Sequence, residues 1–186
     1  VRSRGRLPHW EAEGAAYFVT FRLADSLPQS VLRSFEFERR DILKTARLQG
    51  RELRGAELKR LDALFSGRID RYLDSGVGAC HLAHPEIAEL VVGALRHFDG
   101  RRYWLGAWCV MPNHVHVVFT PLPGESLDKI LHSWKSFTAN QANQILSSTG
   151  QFWQREYYDR LIRNAREFDR FVRYVVDNPA RANLKD

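Results

Sequence analysis

Residues 103–120 read YWLGAWCVMPNHVHVVFT, and they predict a β-hairpin. Both halves are rich in the aromatic and β-branched residues that strands favour, and Pro112 and Asn113 between them are a turn signal. Residues two apart on a strand face the same side of their sheet, so His114 and His116 should project together from one face. Val115, Val117 and Phe119 should point the other way, into the core. The hairpin therefore predicts a sheet that carries a pair of histidines.

The segments on either side of the hairpin predict a mixture of helices and further strands. In chain order they are a strand at 15–22, an inserted helical pair at about 28–74, a helix from Pro85 to 98, the hairpin, a helix at 126–146, an extended stretch at 151–162, and a final helix at 167–177 that Pro179 should end. This order is typical of an α+β fold with helices packed on one face of an antiparallel sheet. The length of 186 residues suits one domain over residues 1–186.

The composition is that of a folded and basic protein. Hydrophobic residues make up 44% of the chain and charged residues 27%, as in a globular domain, and no apolar run is long enough to span a bilayer. The net charge of +6 and the pI near 9.6 favour a polyanionic partner, of which nucleic acid is the commonest. Cys80 and Cys109 lie far apart and outside any C-x-x-C spacing, which predicts reduced thiols in a cytoplasmic protein.

The His-x-His pattern has two interpretations when it is taken alone. Paired imidazoles on an apolar strand are natural metal ligands, but they also fit two surface histidines on an amphipathic strand. The last helix adds Tyr174 and Asn178, four residues apart at the margin of the apolar stripe, with Arg170 one turn before Tyr174. This arrangement suits a tyrosine that offers its hydroxyl to a phosphate. The spacing alone favours an ordinary interfacial aromatic residue.

Three spaced motifs together resemble the REP-associated tyrosine transposases, which are relatives of the single-tyrosine HUH transposases of bacterial insertion sequences. The motifs are WCVMPNHVH at 108–116, FWQREYYDRLIR at 152–163 and YVVDNP at 174–179, and the resemblance extends from about Arg6 to Leu184. It implies a ferredoxin-like fold with the histidine pair on the central strand and the nucleophilic tyrosine on the C-terminal helix.

The resemblance also implies a role for each matched residue. His114 and His116 match the metal-binding pair, and Tyr174 matches the catalytic tyrosine. Asn178 falls where the insertion-sequence enzymes have a longer glutamine that completes the metal site. Arg170 and the metal ion are expected to help deprotonate the Tyr174 hydroxyl.

The implied reaction is metal-dependent nicking and rejoining of single-stranded DNA next to a repeat hairpin. Tyr174 would attack the phosphodiester, form a 5′-phosphotyrosine and release a 3′-hydroxyl, with Mg²⁺ or Mn²⁺ as the divalent ion. The implied partner is single-stranded DNA with a palindromic hairpin, with no membrane and no small-molecule cofactor. A monomer is favoured over the dimer that the insertion-sequence enzymes form. The protein is expected in the bacterial cytoplasm, and with the nucleoid when it is bound to DNA.

Basic and hydrogen-bonding residues in three places are candidate DNA contacts. A basic, aromatic N-terminal arm suits stacking on unpaired bases, a segment of the long helix carries phosphate-binding groups, and the second and third motif regions add arginines. These candidates are Arg4, Arg6, His9, Trp10, Lys135, Ser136, Arg155, Arg163 and Arg170. Trp134 and Phe137 beside them are expected in the core.

Other interpretations remain open at the level of the sequence. The chain also fits a hairpin-binding protein that has lost cleavage, or a metal-dependent nuclease in which water attacks and Tyr174 is structural. An RNA-binding ferredoxin-like domain would carry exposed aromatic residues where this chain has histidines. Tyr157 and Tyr158 are alternative nucleophiles, although their motif resembles an edge strand of the family and not its catalytic helix.

Overall fold

A computed structural model of the chain describes residues 14–51, 53–64 and 69–182. Within those ranges the strands are β1 (Tyr17–Arg22), β2 (Tyr103–Met111), β3 (His114–Pro121) and β4 (Tyr158–Leu161). The helices are α1 (Gln29–Leu48), α2 (Gly55–Ala63), α3 (Asp70–Asp74), α4 (Pro85–His97), α5 (Leu127–Ile145) and α6 (Ala165–Arg181), and a 3₁₀ turn at His81–Ala83 precedes α4. Across the described part of the chain, no helix has the length and apolar character needed to cross a membrane.

The four strands form one antiparallel sheet in the order β2-β3-β1-β4. Strand β3 is central, with His116 opposite Thr20 on β1 and opposite Cys109 on β2. The predicted hairpin is confirmed, because Pro112 and Asn113 connect β2 directly to β3. The predicted α+β class and antiparallel sheet are also confirmed.

Helices α4 and α5 cover the face of the sheet that carries Val117 and Phe119. The ring of Trp134 on α5 packs edge-on against Phe119, with ring centroids 4.9 Å apart. Its indole N–H donates to the Tyr103 hydroxyl at 2.9 Å, and that hydroxyl donates to the carbonyl of Leu95 on α4 at 2.7 Å. Each large apolar side chain buried here contributes about 1.5–3 kcal/mol, and the buried polar groups of this trio have partners.

Helix α6 lies on the opposite face of the sheet, so the expectation that the helices pack on one face holds for α4 and α5 but not for α6. The histidine face also carries apolar side chains, among them Phe18 and Val118, which must be covered. Phe171 stacks on Phe18 with ring centroids 4.6 Å apart, and Val175 is fully buried in the same cluster. This second layer brings α6 directly over the histidine pair.

Pro179 does not end the last helix, and that prediction is wrong. Helix α6 continues to Arg181, and the Ala182 N–H still donates to the Asn178 carbonyl at 3.1 Å. A proline this close to a helix end removes one backbone hydrogen bond and leaves few further turns to disturb. The buried side chains of Val175 and Asn178 hold the last turns against the sheet.

In the described ranges the inserted helical segment comprises α1, α2 and α3, and residues 65–68 between α2 and α3 lie outside those ranges. A small apolar cluster joins α1 to α3, in which Leu27, Ile69 and Leu73 are buried against Leu32 and Phe35. This packing sets α3 beside α6, so the insert borders the face of the sheet that carries the histidines.

Candidate active site

His114 and His116 lie on the central strand and are both fully buried. Their Nε2 atoms face each other at 3.0 Å. The outer nitrogen of each ring has its own partner: Nδ1 of His114 lies 2.7 Å from the Asn113 Oδ1, and Nδ1 of His116 lies 2.7 Å from the Thr20 hydroxyl. Both rings are therefore held at both nitrogens.

These partners define where the ring protons lie. Asn113 donates through its amide nitrogen to the Val77 carbonyl at 2.9 Å, so its oxygen is left to accept from His114 Nδ1–H. The Nε2 of His114 then carries a lone pair, and His116 donates to it from its own Nε2, while Thr20 donates to His116 Nδ1. If the His116 proton moves from Nε2 to Nδ1, the Thr20 hydroxyl can accept a hydrogen bond from Nδ1–H. Both Nε2 lone pairs then converge on one point.

The geometry of the pair suits two ligands of one divalent ion. Nitrogens at adjacent positions around an ion, each about 2.1 Å from it, lie about 3.0 Å apart, which matches the observed separation. Burial lowers the pKa of His114 to about 3 and holds the pKa of His116 well below its usual value. Both imidazoles are therefore neutral at pH 7, the form that binds a metal.

Asn178, which is predicted to complete the metal site, lies on α6. Its side chain is 2% exposed, and its Oδ1 has no hydrogen-bond partner among the described residues. A buried carbonyl oxygen without a partner costs about 1–3 kcal/mol, so the fold gains if an ion or a water occupies its lone pairs. In the described ranges no cluster of three His, Cys, Asp or Glu side chains could hold a metal ion.

Tyr174 lies one helical turn before Asn178 and contacts the histidine pair. Its ring packs edge-on against His116 with centroids 5.3 Å apart, and against Phe18 with centroids 5.6 Å apart. Its hydroxyl donates to the Asp70 carboxylate of α3 at 3.0 Å. Burial, followed by the charge of Asp70, raises the pKa of Tyr174 far above its usual value.

The positive charge nearest to the tyrosine ring comes from Arg181 and not from Arg170. The Arg181 guanidinium lies 5.4 Å from the centre of the Tyr174 ring and lowers the pKa of its hydroxyl slightly against the other effects. Arg170 lies 4.8 Å above the Phe171 ring and points along the same side of α6 toward a cavity. The expectation that Arg170 assists deprotonation therefore has no direct contact to support it.

A cavity of about 330 Å³ lies beside Tyr174, between the insert and the sheet. Its walls combine cationic side chains with aromatic rings. The cationic members are Arg22, Arg39, Arg160 and Arg170, and the aromatic ones are Phe18, Phe35, Tyr157, Tyr158, Phe171 and Tyr174. Burial lowers the pKa of Arg22 to about 10, which leaves it protonated at pH 7. Such walls suit an anionic ligand with flat rings.

The two alternative nucleophiles are placed differently from Tyr174. The Tyr157 hydroxyl donates to the Asp128 carboxylate on α5. Tyr158 lies on β4 opposite Thr20, and its burial raises its pKa. The Tyr174 ring contacts His116.

The predicted DNA contacts fall into separate groups. Arg4, Arg6, His9 and Trp10 lie outside the described residues. Ser136, Arg155, Arg163 and Arg170 are exposed. Lys135 is largely buried: its ammonium donates to the Gln154 and Arg155 carbonyls at 2.7 and 2.9 Å, and burial lowers its pKa to about 8. The structure therefore uses Lys135 to hold the segment before β4.

The long helix α5 differs from expectation in a second respect. Trp134 is in the core as predicted, but Phe137 is 52% exposed, so that prediction is wrong. Because α5 packs on the sheet face away from the histidines, Lys135 and Ser136 are not brought to the histidine pair.

Sequence reasoning missed Thr20, Asn113 and Asp70. Thr20 alternates with Phe18 and Arg22 on a predicted strand, which is a weak indication that it shares a face with them. The sequence alone does not give its register with His116. Asn113 was assigned only to the turn. Asp70 lies 104 residues before Tyr174 in the chain, and no local pattern connects the two.

Comparisons with known proteins agree with the resemblance found in the motifs. The family profile described as "Transposase IS200 like" matches residues 94–178. The REP-associated tyrosine transposase of Escherichia coli (strain K12) is 26% identical over 83 residues, which cover 44% of this chain and 47% of that protein. The chain thus aligns with about half the length of this curated relative. These relatives are transposases, which are enzymes.

The fold has a counterpart among solved structures. A REP-associated tyrosine transposase bound to a REP hairpin aligns with a TM-score of 0.50 and 14% sequence identity, covering 96% of this chain and 74% of that one. This alignment supports the predicted fold, and the predicted resemblance to the REP-associated tyrosine transposases is confirmed.

Proposed function

We infer that the protein has a DNA-processing activity. It resembles the REP-associated tyrosine transposases, and its residues 94–178 match the IS200-like transposase profile. In its specific form, the protein is a metal-dependent endonuclease and strand transferase for single-stranded DNA. It nicks and rejoins the strand next to a repeat hairpin through a 5′-phosphotyrosine on Tyr174. His114, His116 and Asn178 hold the divalent ion, Mg²⁺ or Mn²⁺.

One observation carries this proposal: the Tyr174 ring lies against His116, with centroids 5.3 Å apart, while Nε2 of His116 faces Nε2 of His114 at 3.0 Å. A nucleophile and a pair of ligands that meet in this way can act on the same phosphate. A structural tyrosine would not need neutral, buried histidines beside it. The unpartnered Oδ1 of Asn178 adds a third donor one turn along the same helix.

Bound to His114 and His116, a divalent ion supplies Lewis-acid stabilisation of charge on a non-bridging phosphate oxygen. The protein's own residues do the rest. Thr20 and Asn113 fix the ring orientations, and α6 holds the Tyr174 ring against His116. Attack by the Tyr174 oxygen forms the O–P bond and breaks the bond from phosphorus to the 3′-oxygen. The phosphodiester energy is retained, so the released 3′-hydroxyl can rejoin the strand by reversal.

The cavity beside Tyr174 supports a single-stranded substrate. Its guanidinium groups suit phosphates, and its aromatic rings offer stacking surfaces for unpaired bases. In a duplex the bases are paired and stacked, so they could reach these rings only after unstacking. The net charge of +6 suits a DNA hairpin as the partner, and the exposed Arg155, Arg163 and Arg170 add positive charge.

Covalent capture tests the proposal. The protein is incubated with a labelled library of single-stranded DNA hairpins and Mn²⁺, then denatured, and DNA attached to protein is measured. An adduct that is lost in both Tyr174→Phe and His116→Ala supports the nickase. An adduct that survives Tyr174→Phe moves the nucleophile to Tyr157 or Tyr158. Hairpin binding with no adduct under any metal contradicts the enzyme and leaves a DNA-binding protein.

A further inference from the structure

The inserted helices contribute a side chain to the nucleophile. Asp70 lies at the start of α3, outside the region 94–178 that matches the transposase profile. Its Oδ2 accepts the hydrogen bond of the Tyr174 hydroxyl at 3.0 Å. The contact joins residues 104 positions apart, so the fold of the insert is what brings them together.

The surroundings favour a carboxylate that exchanges a proton with the phenol. Ile69 and Leu73 of the same segment are buried, and both line the cavity with Asp70 and Tyr174. The charged groups that act on the pair are Asp74 on α3 and Arg181 on α6. The Oδ2 of Asp70 is directed at the Tyr174 hydroxyl.

We propose that Asp70 is a catalytic residue of the nicking reaction and takes the proton of Tyr174. As the Tyr174 oxygen forms its bond to phosphorus, its proton passes to Oδ2 of Asp70. The bond from phosphorus to the 3′-oxygen breaks, and the leaving 3′-oxygen takes a proton from water. In the rejoining step the attacking 3′-hydroxyl gives its proton to water, and Asp70 returns its proton to the departing tyrosine oxygen. This inference rests on the proposed function.

The protonation of Asp70 agrees with this role. Burial, opposed by the hydrogen bond from Tyr174, raises the pKa of its carboxyl to about 7. A general base is most effective when its pKa lies near the working pH. Together with the 3.0 Å contact, this gives the insert a chemical function that packing alone does not require.

The test compares two nucleophiles in two backgrounds. Asp70→Asn keeps an oxygen that can accept the hydrogen bond but cannot take the proton. Each background carries either tyrosine at position 174 or a fluorinated tyrosine that is ionised near neutral pH, introduced at that codon alone. Single-turnover adduct formation with Mn²⁺ and one single-stranded hairpin oligonucleotide is the readout. Asp74→Asn, which removes an exposed charge from the same helix, is the matched control.

With tyrosine at 174, Asp70→Asn should slow adduct formation by about 10²–10⁴, the usual contribution of a general base. With the fluorinated nucleophile, whose more acidic phenol depends less on a base, the loss should shrink to less than about tenfold. Hairpin affinity should match that of Asp74→Asn.

Two results overturn the role of Asp70 while leaving the nickase intact. One is a wild-type rate in Asp70→Asn, and the other is an equal loss with both nucleophiles, which indicates a structural role. If the wild-type protein itself forms no adduct, the proposed function fails first, and the proposal for Asp70 fails with it. The wild-type and Tyr174→Phe reactions therefore separate the two failures.

Discussion

The hydroxyl of Thr20 lies 2.7 Å from Nδ1 of His116, across the pairing of β1 with β3. Because Nδ1 is engaged there, the Nε2 of His116 is directed at His114. A hydroxyl can donate or accept, so Thr20 can follow the His116 proton when a metal ion takes the Nε2 lone pair. Thr20 is thus the residue that orients His116 in the proposed metal site.

Thr20→Val should therefore weaken Mn²⁺ binding by about 10–100-fold, the usual cost of losing an outer-shell partner of a metal ligand. It should also destabilise the metal-free protein by about 1–3 kcal/mol, because Nδ1 of the buried His116 loses its partner. Calorimetric titration with Mn²⁺ and chemical unfolding measure the two effects. Thr20→Ser keeps the hydroxyl and is the control. Equal Mn²⁺ affinity in the valine and serine variants would contradict this role of Thr20.

Asn178→Ala should separate folding from metal binding. The Oδ1 of Asn178 has no partner in the described part of the chain, so its removal relieves a desolvation cost that offsets the lost packing. The free energy of unfolding without metal should change by less than about 1 kcal/mol. At Mn²⁺ concentrations that stabilise the wild type by about 3 kcal/mol, roughly 100 times its Kd, the variant should gain far less.

Thermal unfolding with and without Mn²⁺ measures this difference. Asn178→Gln restores an amide oxygen on a longer side chain and should recover part of the metal-dependent rise in Tm. If Asn178→Ala keeps the full rise, the amide is not a ligand of the ion.

The sequence predicted the parts of the molecule that local patterns encode. Alternation fixes which face of β3 carries His114 and His116, and the turn at Pro112 and Asn113 fixes the hairpin register. The position of Tyr174 relative to Asn178 follows from helical spacing. These relations depend on neighbours in the chain, so they can be read without the fold.

The remaining features depend on how distant segments meet. The contact of Asp70 with Tyr174 arises from the packing of α3 beside α6, and nothing near either residue encodes it. Lys135 looked like a phosphate-binding residue because its helix segment is polar, yet the carbonyls of Gln154 and Arg155 engage it. Helix α6 covers the second face of the sheet because apolar side chains there need burial, which the order of elements alone does not reveal.

Lys135→Met should affect folding and leave DNA binding largely unchanged. The ammonium of Lys135 satisfies two backbone carbonyls, and their loss should cost about 1–3 kcal/mol of unfolding free energy. Arg163→Met, at an exposed position, should leave stability within about 0.5 kcal/mol and reduce the salt dependence of hairpin binding by about one counterion. Denaturant unfolding and binding titrations at several salt concentrations test the pair. If the salt dependence of hairpin affinity changes in Lys135→Met but not in Arg163→Met, then Lys135 and not Arg163 contacts the DNA.

Asp70 should make the stability of the protein depend on pH. Burial raises the pKa of its carboxyl from 3.8 to about 7, so between these values the folded state holds a proton that the unfolded chain releases. Because the folded state binds this proton more tightly than the unfolded chain does, a rise in pH works against the folded state. The free energy of unfolding therefore falls from about pH 4 to pH 7.

Asp70→Asn cannot ionise, so its stability relative to wild type should increase between pH 5 and pH 8, by about 1–3 kcal/mol. His114, His116 and all other titrating groups are present in both proteins and cancel in the difference. Urea unfolding of the metal-free proteins at the two pH values measures it, with Asp74→Asn as the control for removing a nearby charge. A difference that is the same at pH 5 and pH 8 would mean that Asp70 ionises in the folded protein as it does in the unfolded chain. The hydrogen bond to Tyr174 would then join a phenol to a permanently charged carboxylate, which is a weaker acceptor for its proton near neutral pH.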